Sequence, residues 1–199
     1  MIAFLKISTF VLVFCFLGVP SFARADWSLC KKILGELAEF GHSITVDPTR
    51  QNYSYILDTE NVGGILVLNE TVFGLPVLEI RDMGVNRTLR GQGISKRLLA
   101  RVLSDHHPTY VYGRLEHTNE KEFLKAWRKL GENVPLYDKS DPQLKERNEL
   151  AVKETPFFKA LNSLGFGSVA RLEVSYYAKE RPSDPLEPSG IQLILKKSE

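Results

Sequence analysis

Two glycines one residue apart, Gly91 and Gly93, stand in the run Arg90-Gly91-Gln92-Gly93-Ile94-Ser95-Lys96. Glycine lets the backbone turn tightly and bring several N–H groups to one ligand. The run lies between a strand-like segment and an amphipathic helix, so the positive end of a helix dipole points into the same space. Such a place suits an anion. Residues 81–101 hold six basic side chains (Arg81, Arg87, Arg90, Lys96, Arg97, Arg101) against one acid, Asp82, as a pyrophosphate-binding turn requires. Two other phosphate motifs do not apply. The dinucleotide fingerprint needs a third glycine where Lys96 stands, and no suitable glycine is followed by the lysine of a Walker A loop.

These residues need a frame. Residues 53–58, 63–68 and 77–85 are apolar, strand-like and separated by short turns, which predicts an antiparallel meander. Ile94, Leu98, Leu99, Val102 and Leu103 share one face of a helix expected at 93–104, and residues 110–115 read as the next strand. Upstream, Leu29, Ile33, Leu37 and Phe40 predict a core-facing helix over 28–40, ended by Gly41. Downstream, a helix over 157–164 stops at Gly165, and strands over 169–177 and 191–195 flank the proline-rich stretch 181–188. The expected fold is α+β, a single mixed, mostly antiparallel sheet flanked by helices. Residues 116–155 interrupt this order with helices expected at 119–130 and 142–154. They carry eight basic and nine acidic residues, so they form no charged patch. Two readings stand: a solvated helical hairpin, or a lid or wall of an acceptor site.

The segment Val85-Asn86-Arg87-Thr88-Leu89-Arg90-Gly91-Gln92-Gly93-Ile94-Ser95-Lys96-Arg97-Leu98-Leu99 resembles the central acyl-CoA motif of the GNAT superfamily of N-acetyltransferases. In that family a strand ending in Val leads through R/Q-x-x-G-x-G/A to a helix with a Leu-Leu pair; Ser95 replaces the last small residue. Phe157 to Phe166 is similar to the family's late helix ending in Leu-Gly-Phe before two closing strands. The matches cover about residues 53–115 and 156–196, and the insertion lies outside them. The resemblance implies acetyl-CoA or another acyl-CoA as co-substrate. Its pyrophosphate would lie on the N–H groups of residues 91–96, and its pantetheine would pair with the strand ending at Met83 and Val85. An amine acceptor, small molecule or protein, then attacks the thioester directly. The cofactor-binding residues are thus Met83, Val85, Arg90, Gly91, Gln92, Gly93, Ile94, Ser95 and Lys96. The family's strand glutamate, counted back from Val85, is Glu79, the candidate catalytic base; a plain strand glutamate paired with a neighbouring arginine is the other reading. Strand alternation puts Glu79, Arg81, Met83 and Val85 on one side. The family's late-helix tyrosine, a proton donor, is replaced here by Leu161. That departure leaves room for an exported, non-catalytic binding module that kept the fold.

Residues 1–25 read differently from the rest of the 199-residue chain. Lys6 precedes an apolar run over 7–17, then Gly18, Pro20 and Ser21 lead to Ala23-Arg24-Ala25, the order of a cleaved signal peptide. The expected mature domain is 26–199, secreted or periplasmic; a retained membrane anchor is the alternative, and membrane contact is expected only then. Cleavage removes Lys6 and Arg24 and leaves 24 basic against 24 acidic residues. A neutral domain has no overall field to gather nucleic acid, and none is expected as partner. Cys30 becomes the one cysteine and is expected to be a buried hydrophobe. No His or Cys cluster has metal-ligand spacing, so no metal is expected.

Overall fold

A computed structural model describes residues 27–38, 42–131, 136–178, 181 and 184–198. The expected signal peptide, Phe40 and Gly41 lie outside these residues, as does the side chain of Leu37. The elements run α1 (Ser28–Ala38), β1 (His42–Asp47), β2 (Asn52–Leu57), β3 (Glu60–Val72), β4 (Leu75–Val85), α2 (Ile94–His106), β5 (Tyr110–Arg114), α3 (Thr118–Leu130), α4 (Pro142–Lys153), α5 (Pro156–Asn162), β6 (Ser168–Tyr176) and β7 (Pro188–Lys196). One seven-stranded sheet has the order β1-β2-β3-β4-β5-β7-β6. Every pairing is antiparallel except β4 with β5, so the sheet is mixed and the fold is α+β, as expected.

Local chemistry starts the helices where they start. The side chain of Asp141 accepts from the Gln143 N–H and Pro142 opens α4; Thr155 accepts from the Phe158 N–H and Pro156 opens α5. Both are N-cap and N1 preferences at work. The helices then bury one face each on one face of the sheet. Leu98, Leu99, Leu103, Phe158, Leu161 and Leu193 join Ile65, Val67, Leu78, Ile80 and Val111 in a single core. On the opposite face Val77, Tyr112 and Ile194 form a small second cluster that includes no helical residue.

Three expectations change. Residues 42–47 form a strand not foreseen, pairing antiparallel with β2. In α1, Leu29 is exposed and Leu34 packs against the core in its stead, while Cys30 and Ile33 face the core as expected. The insertion is no solvated hairpin, because Phe123, Trp127, Leu144, Ala151 and Val152 are buried in the main core. Arg147 of α4 lies 3.4 Å above the Trp127 ring of α3 and donates from Nε to the Trp127 carbonyl at 2.7 Å, locking the two helices together.

Candidate functional site

The site begins at the end of β4. Three residue pairs join β4 to β5: Leu78 with Val111, Glu79 with Tyr112, and Ile80 with Gly113. There the pairing stops, while β4 runs on to Val85 paired only to β3. The β5-facing edge of residues 81–85, which includes Met83 and Val85, therefore has no strand partner among the described residues. An extended ligand with amide groups can use that edge as a missing strand would. A close approach holds this mouth in shape. A Cβ on Gly113 would come within 2.6 Å of the Phe157 ring, so glycine alone lets α5 sit directly on β5.

A β-bulge lies at the same place. Val67 faces Ile80 and Leu66 faces Asp82, so Arg81 is an extra residue on β4. The bulge reverses the alternation beyond it. Met83 and Val85 pack towards the main core with Ile80, whereas Glu79 lies on the other face beside Leu68 and Tyr112. The expectation that Glu79, Arg81, Met83 and Val85 share a side is thus overturned. It is Asp82, exposed, that follows Glu79 on its face.

Glu79 is 7% exposed. Arg81 donates from Nη2 to its Oε2 at 3.2 Å, and the Arg81 side chain is otherwise half exposed. Next to it, the Tyr112 hydroxyl donates to Gln192 Oε1 at 3.0 Å and accepts from Arg114 Nε at 3.1 Å. That bond, first of all, raises the affinity of the Arg114 guanidinium for its proton, and Glu79 adds to it. Glu79 thus has the arginine partner of a plain strand glutamate, and it stands on the last stretch of β4 still paired to β5. Leu161, in the position expected of a proton donor, is fully buried in the apolar core.

The glycine turn caps the other end. From Val85 the chain passes through a 3₁₀ turn, Arg87–Leu89, whose start is fixed by the Asn86 side chain accepting from the Thr88 N–H. Arg90 donates from Nε back to the Val85 carbonyl at 3.3 Å. Gly91 and Gly93 both take positive φ, +86° and +77°, a region closed to most side chains. A Cβ built on either meets no atom within 4 Å, so both face open space. Gly93 is the N-cap of α2, and no side chain caps that end. The first N–H groups of a helix have no partner within it. Gly91, Gln92 and Gly93 are exposed, Ser95 and Lys96 half-buried, and Ile94 anchors the turn in the core. The residues present therefore fit a diphosphate. A wider groove of about 980 Å³ lies elsewhere, between β6 and the start of α4, lined by Lys139, Lys145, Asn148, Arg171 and Tyr176 among others. It is lined by none of the residues of β4, β5 or the glycine turn. Among the described residues no three His, Cys, Asp or Glu side chains are placed to hold a metal ion.

No protein-family model and no curated protein matches the sequence. Solved structures do. The chain is similar to an IAA acetyltransferase from Bacillus cereus at 12% identity and TM-score 0.40, over 74% of this chain and 79% of that one. It is similar to a GNAT family acetyltransferase from Elizabethkingia anophelis with acetyl-CoA bound, at 11% identity and TM-score 0.38, over 83% of this chain and 82% of the other. Diaminobutyrate acetyltransferase from Paenibacillus lautus, in complex with L-2,4-diaminobutyric acid and coenzyme A, matches at 12% identity and TM-score 0.39, over 87% of this chain and 92% of its own. These are loose likenesses, and the site stands on its own geometry. The mixed sheet, the parting of β4 from β5 and the glycine turn at the head of α2 are features of this chain's own structure.

Proposed function

We propose that this chain is a GNAT-type N-acyltransferase that moves an acyl group from acyl-CoA to an amine in a ternary complex. One observation carries the reading: the parted edge of β4 leads directly into a turn of two positive-φ glycines at an uncapped helix N-terminus. A diphosphate on the N–H groups of residues 91–96 puts the attached pantetheine beside the free edge at Met83 and Val85. The thioester then lies near the mouth, where Glu79 stands. In the reaction the amine nitrogen attacks the thioester carbon, the C–N bond forms and the C–S bond breaks. Glu79, directly or through a water, takes the amine proton, and the thiolate leaves as CoA. Backbone N–H groups of β4 supply the polarity that a developing oxyanion needs.

Calorimetric titration of residues 26–199 with acetyl-CoA and CoA tests the reading. Binding is expected, and its absence at millimolar ligand overturns the donor site. The burial of Leu161 where a proton donor was expected favours a second reading, a CoA-binding module without turnover. Tight CoA binding with no turnover on a broad amine panel selects it. We further propose export of residues 26–199 after removal of 1–25; a mature N-terminus at Asp26 in a secreted or periplasmic fraction supports this, and an intact Met1 on membranes overturns it.

A further inference from the structure

The β1–β2 hairpin lies beyond β3 from the parted edge of β4, yet it reaches the glycine turn through one buried hydroxyl. Tyr55 of β2 is 0% exposed. Its Oη lies 2.7 Å from Nδ1 of His42 on β1 and accepts a 3.1 Å hydrogen bond from Nη1 of Arg97 on α2. The same Nη1 donates to the Gln92 carbonyl at 3.4 Å. The main-chain N–H of Arg97 donates to the Gly93 carbonyl at 3.1 Å. Arg97 therefore holds both carbonyls of the turn, one with its side chain and one with its backbone.

The consequence follows from peptide geometry. In a trans peptide the C=O and the N–H of the next residue point opposite ways. Drawing the Gln92 carbonyl towards Arg97 turns the Gly93 N–H outwards, and holding the Gly93 carbonyl does the same for the Ile94 N–H. These are two of the donors that the diphosphate would use. The Tyr55 hydroxyl accepts from Arg97 through one lone pair and shares a second hydrogen bond with His42. Removing that hydroxyl leaves the flexible Arg97 side chain without the fixed point that aims it.

We infer that Tyr55 and Arg97 are positioning residues of the donor site and that the β1–β2 hairpin is part of that site. The inference rests on the acyl-CoA reading of the turn. Its test uses Tyr55→Phe, which keeps the ring in the core, and Arg97→Lys, which keeps the charge but loses the planar guanidinium whose Nη1 bonds both Tyr55 and Gln92. CoA and pantetheine, which lacks the diphosphate, are titrated against residues 26–199 and each variant, with circular dichroism as the fold check. Each variant should raise the CoA dissociation constant about tenfold, the scale of one hydrogen bond to a charged group. Pantetheine should change far less, and the double variant should lose little more than either single one. Equal losses for both ligands make Tyr55 a scaffold residue and overturn the inference. Parent-like CoA affinity in Arg97→Lys makes Arg97 a bare charge and overturns it too. A parent that binds no CoA removes the donor reading itself, whereas a parent that binds CoA beside unaffected variants removes this inference alone.

Discussion

Two glycines of the same backbone shape offer a matched experiment. Gly93 has φ +77° at the head of α2, and Gly74 has φ +78° in the turn between β3 and β4. A Cβ on either meets no atom within 4 Å. Substitution by alanine therefore adds no clash at either position and costs only the strain of a left-handed residue, about 1–2 kcal/mol. Part of that is returned because alanine restricts the unfolded chain, by about 0.4–1 kcal/mol. Both variants should thus lose about 1 kcal/mol, or about 2–4 °C in melting temperature for a domain of this size. They should part company in binding. The methyl group on Gly93 stands where the diphosphate must approach the backbone. Loss of two N–H bonds to charged oxygens, at about 1.5–3 kcal/mol each, weakens CoA by at least about 100-fold. Gly74→Ala should bind CoA like the parent. Paired thermal melts and CoA titrations of the two variants read both effects, and equal CoA affinity in Gly93→Ala and Gly74→Ala refutes the assignment of the turn.

Glu79→Gln should cut turnover by about 100-fold or more with CoA affinity nearly unchanged, because the amide keeps the size but takes no proton. Loss of its ion pair with the half-exposed Arg81 costs at most about 1 kcal/mol, so a parent-like rate in a folded variant makes Glu79 structural. Tyr53 is pushed up to about 12, chiefly by burial and then by the Asp105 carboxylate. Its folded-state value thus lies above the ordinary value near 10. It therefore favours folding fully below about pH 10, and that share is lost as pH climbs to about 12. Tyr53→Phe should flatten this alkaline limb in urea midpoints measured against pH, and an unchanged limb refutes the cause. Cys30 is 1% exposed, and burial pushes its thiol up, so a thiol reagent should label it at the rate of unfolding, not on mixing.

What the sequence showed and what it hid divide along physical lines. The glycine turn was legible because its signals are local: two glycines, a run of cations and a helix pattern within about ten residues. The bounds of β2, β4, α2 and α5 followed from the same short-range grammar of periodicity and turn residues. The bulge at Arg81 was not legible, since nothing in the order Glu79-Ile80-Arg81-Asp82 marks which residue is skipped in pairing. Strand β1 escaped notice because its alternation, with Ile44 and Val46 inward, is short and flanked by polar residues. In α1 the sets Leu29-Ile33-Leu37 and Cys30-Ile33-Leu34 both satisfy helical spacing, and only packing against α2 chooses between them. The Tyr55–Arg97 bond joins residues 42 apart in the chain, and neither residue type announces it.

The bulge turns β4 into two half-strands of opposite phase joined in series. Arg81 acts there as a spacer: its side chain is largely solvent-borne, so its identity matters little to the core, and Ile80 and Asp82 on either side of it face adjacent residues of β3. Deleting that one residue would close the ladder into a regular one, with Ile80, Asp82 and Met83 facing in, out and in as they already do. What the extra residue adds is a local bend and a stronger twist. It sits where β4 parts from β5, so it bears on the course by which residues 82–85 leave the sheet and run into the glycine turn, more than on which side chains they bury.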